Sequence, residues 1–179
     1  VILIDTGIGN NKDRPFSALF HMLKNPYLER LSKAGVRPED VDYVLMTHLH
    51  ADHVGWNTVK VNGAWIPTFP NARHVFAKGE QDFYGMPAGV PRLCVYEDSV
   101  LPLVQAGLTD VVADDGGAYL KDITFHPTPG HSCMHMAISL RSDGETALFA
   151  GDVMHHPLQV YRPEWNSVFC GSPNQARRS

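Results

Sequence analysis

The chain has 179 residues, a net charge of −4 and an apolar share of 44%, which is enough for one domain with a proper core and offers no basic footprint for nucleic acid. No apolar run approaches the roughly 18 residues that span a bilayer. Its three cysteines, Cys94, Cys133 and Cys170, are widely spaced, form neither a CxxC site nor a disulfide framework, and fit a reducing cytoplasm.

The chain opens in a short apolar run at 1–4, as expected for a strand covered on both faces. It does so without an initiating Met, so we expect an internal fragment of a longer protein. Asp5-Thr6-Gly7-Ile8-Gly9-Asn10 follows as a polar turn; a lone GxG is a weak phosphate signal, and a plain turn is the better reading. Residues 15–23 and 26–34 are predicted as two helices, each with a proline near its start and the second closed by Gly35. Phe16, Leu19, Phe20 and Leu23 share one face of the first; Leu28, Leu31 and Ala34 share one face of the second. Both stripes read as core. Pro38-Glu39-Asp40 makes a helical turn into a strand at 41–46.

Further along, a strand is predicted at 73–77, a helix at 78–84, a Gly/Pro-rich loop at 85–91 and a helix at 96–106. Strands are predicted at 108–113, 123–128, 135–140 and 146–150, with Asp143-Gly144 as the hairpin turn between the last two. Strands and helices interleave early and hairpins dominate late. That order predicts a single α/β domain over 1–179, layered as a sandwich rather than an open parallel sheet. The final stretch after Ser172-Pro173 reads as the opening of a helix that should fray.

The strongest chemical signal is Thr47-His48-Leu49-His50-Ala51-Asp52-His53. Four potential ligands in six positions directly follow an apolar strand, where they can converge on one point. Imidazole suits zinc, and an interposed carboxylate lets a second cation sit beside the first. Two other strand ends repeat the arrangement: the strand at 123–128 leads to Pro129-Gly130-His131-Ser132, and the strand at 146–150 leads to Gly151-Asp152. Three strand ends offering ligands describe one rim of a sheet, for which a metal site is the economical explanation.

In these motifs the chain resembles the metallo-β-lactamase superfamily. Asp5-Thr6-Gly7 resembles its first motif, His48-x-His50-x-Asp52-His53 its HxHxDH signature, Thr128 to Ser132 its third-motif histidine, and Asp152 its bridging carboxylate. The resemblance implies a four-layer αββα sandwich, incomplete at both ends of this sequence, with the site at one edge. It implies that His48, His50 and His131 bind a first zinc, that Asp52 and His53 bind a second, and that Asp152 bridges them. Asp5 would support the metal loop from behind. The family's last ligand, a histidine near the C-terminus, has no counterpart here, since no histidine follows His156. Cys133-Met134 stands where many relatives carry a Pro-Gly pair before the histidine corresponding to His135.

The implied activity is zinc-dependent hydrolysis of a small molecule by a hydroxide shared between two ions roughly 4 Å apart, with Asp52 and Asp152 as the catalytic carboxylates. A lactone or carboxylic ester is the leading substrate class, ahead of a β-lactam or an organophosphate. A degenerate module without catalysis is the main alternative, and an iron oxidoreductase of the same fold is another. Cys133 reads as a packed thiol. Trp56, Trp65, Phe69 and Phe83 line either a pocket or the core, and one of His155 and His156 facing the cleft would touch substrate or support a ligand.

Overall fold

A computed structural model describes residues 1–179. β1 (Ile2–Ile4) leads through a long loop to α1 (Tyr27–Lys33). The helix expected at 15–23 does not form: residues 15–22 are successive turns, and Met22 lies in the left-handed region at φ 52°. The cause is tertiary. Arg14, fully buried, is held by both oxygens of Asp98 at 2.7 and 2.9 Å, and the loop closes on itself through Met22 N–H to Lys12 O (2.8 Å) and Asn11 N–H to Leu23 O (3.0 Å). Leu19, placed in the core by its helical spacing, is 81% exposed. A buried charge-assisted pair outweighs the modest helical propensity of this stretch.

After a 3-10 turn at Pro38–Asp40 come β2 (Tyr43–Leu45) and α2 (Ala51–Val54). The hairpin β3 (Thr58–Val61) and β4 (Ala64–Pro67) was not among the expected strands. Its turn is Asn62-Gly63, with φ values of 50° and 86°, the dihedral pattern of a type I′ turn. β5 (Arg73–Ala77) and α3 (Lys78–Phe83) match expectation. The helix expected at 96–106 forms in two pieces, α4 (Leu93–Ser99) and α5 (Leu101–Gln105), separated by Val100 at φ −123°. Pro102 has no N–H to give to the Asp98 carbonyl one turn earlier. That carbonyl accepts from Lys12 Nζ at 2.9 Å and from the Thr58 hydroxyl instead.

β6 (Thr109–Val112), β7 (Gly117–Leu120), β8 (Ile123–Pro127), β9 (Met136–Ser142) and β10 (Glu145–Phe149) complete the strands, β7 being a third one not foreseen. Asp143 and Gly144 make the β9–β10 turn as expected. Beyond β10 lie two 3-10 turns, Gly151–Val153 and Pro157–Val160, and the four-residue α6 (Pro173–Ala176). The last turn does not stand free: Ala176 is buried, and Gly171 and Ser172 N–H donate to the carbonyls of His131 and Gly130 at 2.9 and 2.8 Å.

The strands form two four-stranded sheets. One is parallel, in the order β1-β2-β5-β6; the other is antiparallel, in the order β10-β9-β8-β7. Neighbouring residues of the parallel sheet feed opposite cores. Leu45, Val75 and Ala77 meet Phe125, Met136 and Ile138 between the sheets, whereas Val44, Met46 and Phe76 pack with Leu49, Val54, Phe69 and Val95 on the helical side. Burial on both faces is why these strands read as continuous apolar runs. The layering is therefore helices, parallel sheet, antiparallel sheet. No helix is long and apolar enough to cross a membrane.

Candidate metal centre

The site forms where the two sheets are sewn together at one end. Thr47, the first residue past β2 and its Met46 extension, accepts Met136 N–H of β9 on its carbonyl at 2.8 Å. Its own N–H and hydroxyl donate to the two oxygens of Asp5 at 2.8 Å each. Asp5, at the end of β1, thus fixes the start of the histidine loop. The loop then presents His48 and His50, and α2 presents His53. The β8–β9 connection brings His131, and the turn after β10 brings Asp152.

The hydrogen-bond partners set which ring nitrogens carry protons. The Thr47 hydroxyl donates to Asp5, so it accepts from His48 Nδ1–H at 3.0 Å. That leaves the buried Nε2 of His48 as a lone pair with no partner. His53 Nδ1–H donates to Asp5 Oδ2 at 2.8 Å, which turns its Nε2 towards Asp152. His131 Nδ1 faces Cys170 Sγ at 3.7 Å, and its Nε2 lies 2.9 Å from His50 Nδ1. Asp152 divides its carboxylate: Oδ1 is 3.4 Å from His53 Nε2, and Oδ2 is 3.2 Å from His131 Nε2. Donor atoms of His48, His50 and His131 lie within 4.8 Å of one another, and so do those of His48, His53 and Asp152. The unpartnered buried lone pair of His48 Nε2, set among these donors, is costly unless a cation satisfies it, and a set rich in imidazole suits zinc.

Electrostatics agree with that fit at His48, His50 and His131. Burial first, then neighbouring histidines, holds His48 far below its ordinary value and lowers His50 to about 3. Burial lowers His131 to about 4 despite the opposing charge of Asp152. These rings stay neutral and ligand-competent. For His53, burial is outweighed by hydrogen bonds and charge from Asp152 and Asp5, which raise it to about 10. Burial opposes ionisation of Asp152 too, yet His53, His131 and His155 keep it well below the ordinary carboxylate range.

Of the residues expected from sequence, His48, His50, His53, His131 and Asp152 converge. Asp52 stands at the margin, 43% exposed at the side chain, with Oδ2 3.9 Å from His53 Nε2. Trp56 and Phe69 are buried in the helical-side core, Phe83 packs against it, and Trp65 lies under Lys12 Nζ at 3.7 Å. Cys133, expected to be a packed thiol, is exposed instead; it donates to the carbonyl of Gly79 at 3.3 Å, and desolvation with the nearby Glu80 carboxylate pushes its thiol up to about 12, so it stays protonated. The Gly7-Ile8-Gly9 turn packs against Gly55, whose N–H donates to Gly7 O at 2.6 Å; Gly9 and Gly55 allow that close approach, since a Cβ on either would strike the backbone of the other segment.

Two supporting residues escaped the sequence reading. His135, fully buried, accepts Asp152 N–H on Nε2 at 3.0 Å, so its Nδ1–H donates to Thr128 Oγ1 at 2.8 Å. Glu80 of α3, also buried, accepts Leu49 N–H at 3.0 Å and Met134 N–H at 2.8 Å, tying the two histidine loops together. A lone Glu in a surface-patterned helix carries no sequence signal of such a role. His135 had a faint one, as a histidine four residues beyond His131.

Residues 1–172 match the family model described as the Metallo-beta-lactamase superfamily. Among solved structures, the chain is similar to a hydrolase, AbOPH, in the β-lactamase superfamily, with 27% identity and a TM-score of 0.78 over 99% of this chain and 60% of that one. It is also similar to a probable metal-dependent hydrolase from Staphylococcus aureus, with 25% identity and a TM-score of 0.81 over 99% of this chain and 62% of that one. A likeness of fold extends to AidC, a dizinc quorum-quenching lactonase solved with a product N-hexnoyl-L-homoserine, at 22% identity and a TM-score of 0.77 over 99% and 61% of the two chains. The chain thus spans about 60% of the length of these structures. No curated protein matches it. With the profile spanning nearly all of the chain and the ligand motifs meeting at the joint of the two sheets, the chain belongs to the metallo-β-lactamase superfamily.

Proposed function

We propose that this chain forms the metal-holding part of a dinuclear zinc hydrolase whose substrate is a lactone or carboxylic ester. The observation that carries the reading is the divided carboxylate of Asp152, one oxygen toward His53 and the other toward His131. A carboxylate facing two separate imidazole groups is placed to serve two cations. His48, His50 and His131 would hold the first; His53, with Asp52 at the margin, would hold the second. Such a pair, when bound, supplies Lewis acidity and an activated water. The chain's own groups do the rest: Asp5 fixes the tautomer of His53 directly and that of His48 through Thr47, His135 anchors the backbone of Asp152, and Asp52 can orient a water at the open rim.

Support for the substrate class comes from the fold shared with a lactonase. Metal analysis of the purified protein, followed by a hydrolysis screen with lactones, aryl esters, β-lactams and phosphotriesters, tests it. Zinc in the protein and turnover of lactones or esters is the expected result. Turnover of phosphotriesters or β-lactams alone would replace the substrate class, bound iron would replace the chemistry, and no turnover of any of them by a zinc-loaded protein would favour a binding module.

A further inference from the structure

Asp152 Oδ2 has two imidazole neighbours at the same distance: His131 Nε2 and His155 Nε2 each lie 3.2 Å away. The rings of His131 and His155 sit 4.9 Å apart, and the donor atoms of His131, Asp152 and His155 all fall within 4.8 Å of one another. The same limit describes the His48, His50 and His131 group, and His131 belongs to both. His155 lies outside every motif that supplies the other donors.

Its position is built rather than incidental. Asp152 and His155 are three residues apart, and the extended Met154 after the 3-10 turn leaves their side chains in contact. Gln159, itself buried, accepts the backbone N–H of His155 at 2.6 Å and of His156 at 3.2 Å. In the ligand-competent tautomer of His131, with the proton on Nδ1 beside Cys170, Nε2 presents a lone pair to an oxygen that also offers lone pairs. Two such atoms at 3.2 Å repel unless something positive lies between them, and His155 Nε2 approaches the same oxygen.

We propose that His155 is a further protein ligand, through Nε2, for the cation held by His48, His50 and His131, entering on the Oδ2 side of Asp152. The inference rests on the metal-centre reading above. With it, the first position would draw four imidazoles and one carboxylate oxygen from this chain, which fills the four- to five-coordinate range zinc accepts and leaves the water-holding position to the second cation.

Zinc competition titrations of the wild type, His155→Ala, His155→Gln and His155→Cys test the idea, with cobalt(II) spectra of the same four proteins. Loss of the ligand should weaken the tight zinc class on the order of 10- to 100-fold in His155→Ala, the scale on which neighbouring residues already tune metal affinity. His155→Gln keeps a hydrogen-bond donor for Asp152 and should stay weak. His155→Cys supplies a thiolate ligand, so it should recover affinity and add a sulfur-to-cobalt charge-transfer band absent from the wild type. Wild-type affinity in His155→Ala, or recovery by Gln without Cys, makes His155 only a hydrogen-bond partner and overturns the inference while leaving the metal centre intact. A wild type that takes up no zinc overturns both.

Discussion

Gly151 and His135 stand so close that a Cβ at position 151 would lie 2.6 Å from His135 Nε2. The same Cβ would meet the Thr47 side chain at 2.9 Å, and Gly151 holds φ 55°. Gly151→Ala should therefore strain the backbone by about 1–2 kcal/mol and push Asp152 away from His53 and His131. Thermal unfolding should show a lower midpoint, and zinc affinity should fall with it. Gly144→Ala, at φ 83° with open space around its Cβ, should lower the midpoint but leave zinc affinity alone. Equal zinc affinity in both variants would mean that the Gly151 contact does not hold Asp152.

Asp98 is the only carboxylate bonded to the buried Arg14 and the only one paired with the buried Lys12, the latter with Nζ 3.4 Å from Asp98 Oδ1. Burial, ahead of the opposing pull of Asp98, lowers Lys12 to about 7, so this lysine can shed its proton; the guanidinium cannot. Asp98→Ala should destabilise the fold by about 3–5 kcal/mol, chiefly through the stranded Arg14. Urea unfolding checks this, and adding Arg14→Met should recover part of the loss.

Much of this architecture was legible in the sequence, for a physical reason. Val44-Leu45 and Val75-Phe76 feed opposite cores, so their strands appear as unbroken apolar runs, and the candidate histidine loop sits just past one of them. What escaped was decided by contacts remote in sequence. The first helix is lost to an Arg14–Asp98 pair 84 residues apart, and the later one is split because Pro102 frees a carbonyl for Lys12 and Thr58. Glu80 and His135 escaped because their roles depend on loops that meet only in the folded chain. The Asn62-Gly63 hairpin had a local signal and was missed all the same.

Zinc added to the metal-free chain should show one tight class of site and one loose class. In the proposed centre the first position would draw on His48, His50, His131 and Asp152, whereas the second would have His53, a shared Asp152 and the exposed Asp52. Calorimetric titration distinguishes the two classes. Two equally tight sites would contradict this assignment.

His50→Ala and Asp152→Ala should abolish hydrolysis of whichever ester or lactone the protein turns over, by removing donors from the centre of the site. Cys133→Ser should leave the rate within a few-fold, since this thiol bonds only to Gly79 and Glu80. Steady-state rates with metal content measured on each variant decide it. An Asp152→Ala protein as fast as the wild type would rule the mechanism out.

The metal-free protein should be most stable near neutrality. His50, lowered to about 3, and His131 and His135, each lowered to about 4 mainly by burial, start from an ordinary value of 6.5. Only the unfolded chain takes up these protons readily, so their contribution is complete above 6.5 and is lost as the pH falls towards those lowered values. His53, raised from 6.5 to about 10, has the opposite sign: its contribution is complete below the lower value and is lost as pH rises towards the upper. Chemical denaturation at about pH 5, 7 and 9 should give the largest unfolding free energy at the middle value. A stability that climbs steadily from acid to alkali would show that the His53 pair with Asp5 and Asp152 contributes little.

The proposed ligands belong to different mechanical parts. His48, His50 and His53 ride on the parallel sheet, while His131 and Asp152 ride on the antiparallel one, and the backbone tie from Met136 to Thr47 crosses the seam beside them. A cation at this place acts as a rivet through two plates. Only the folded arrangement offers the full ligand set, so occupancy must raise the unfolding temperature in proportion to the logarithm of free metal. The same rivet makes shear between the sheets felt at the metal: substitutions among Leu45, Phe125 and Ile138, deep between the plates and remote from any ligand, should register as altered metal affinity.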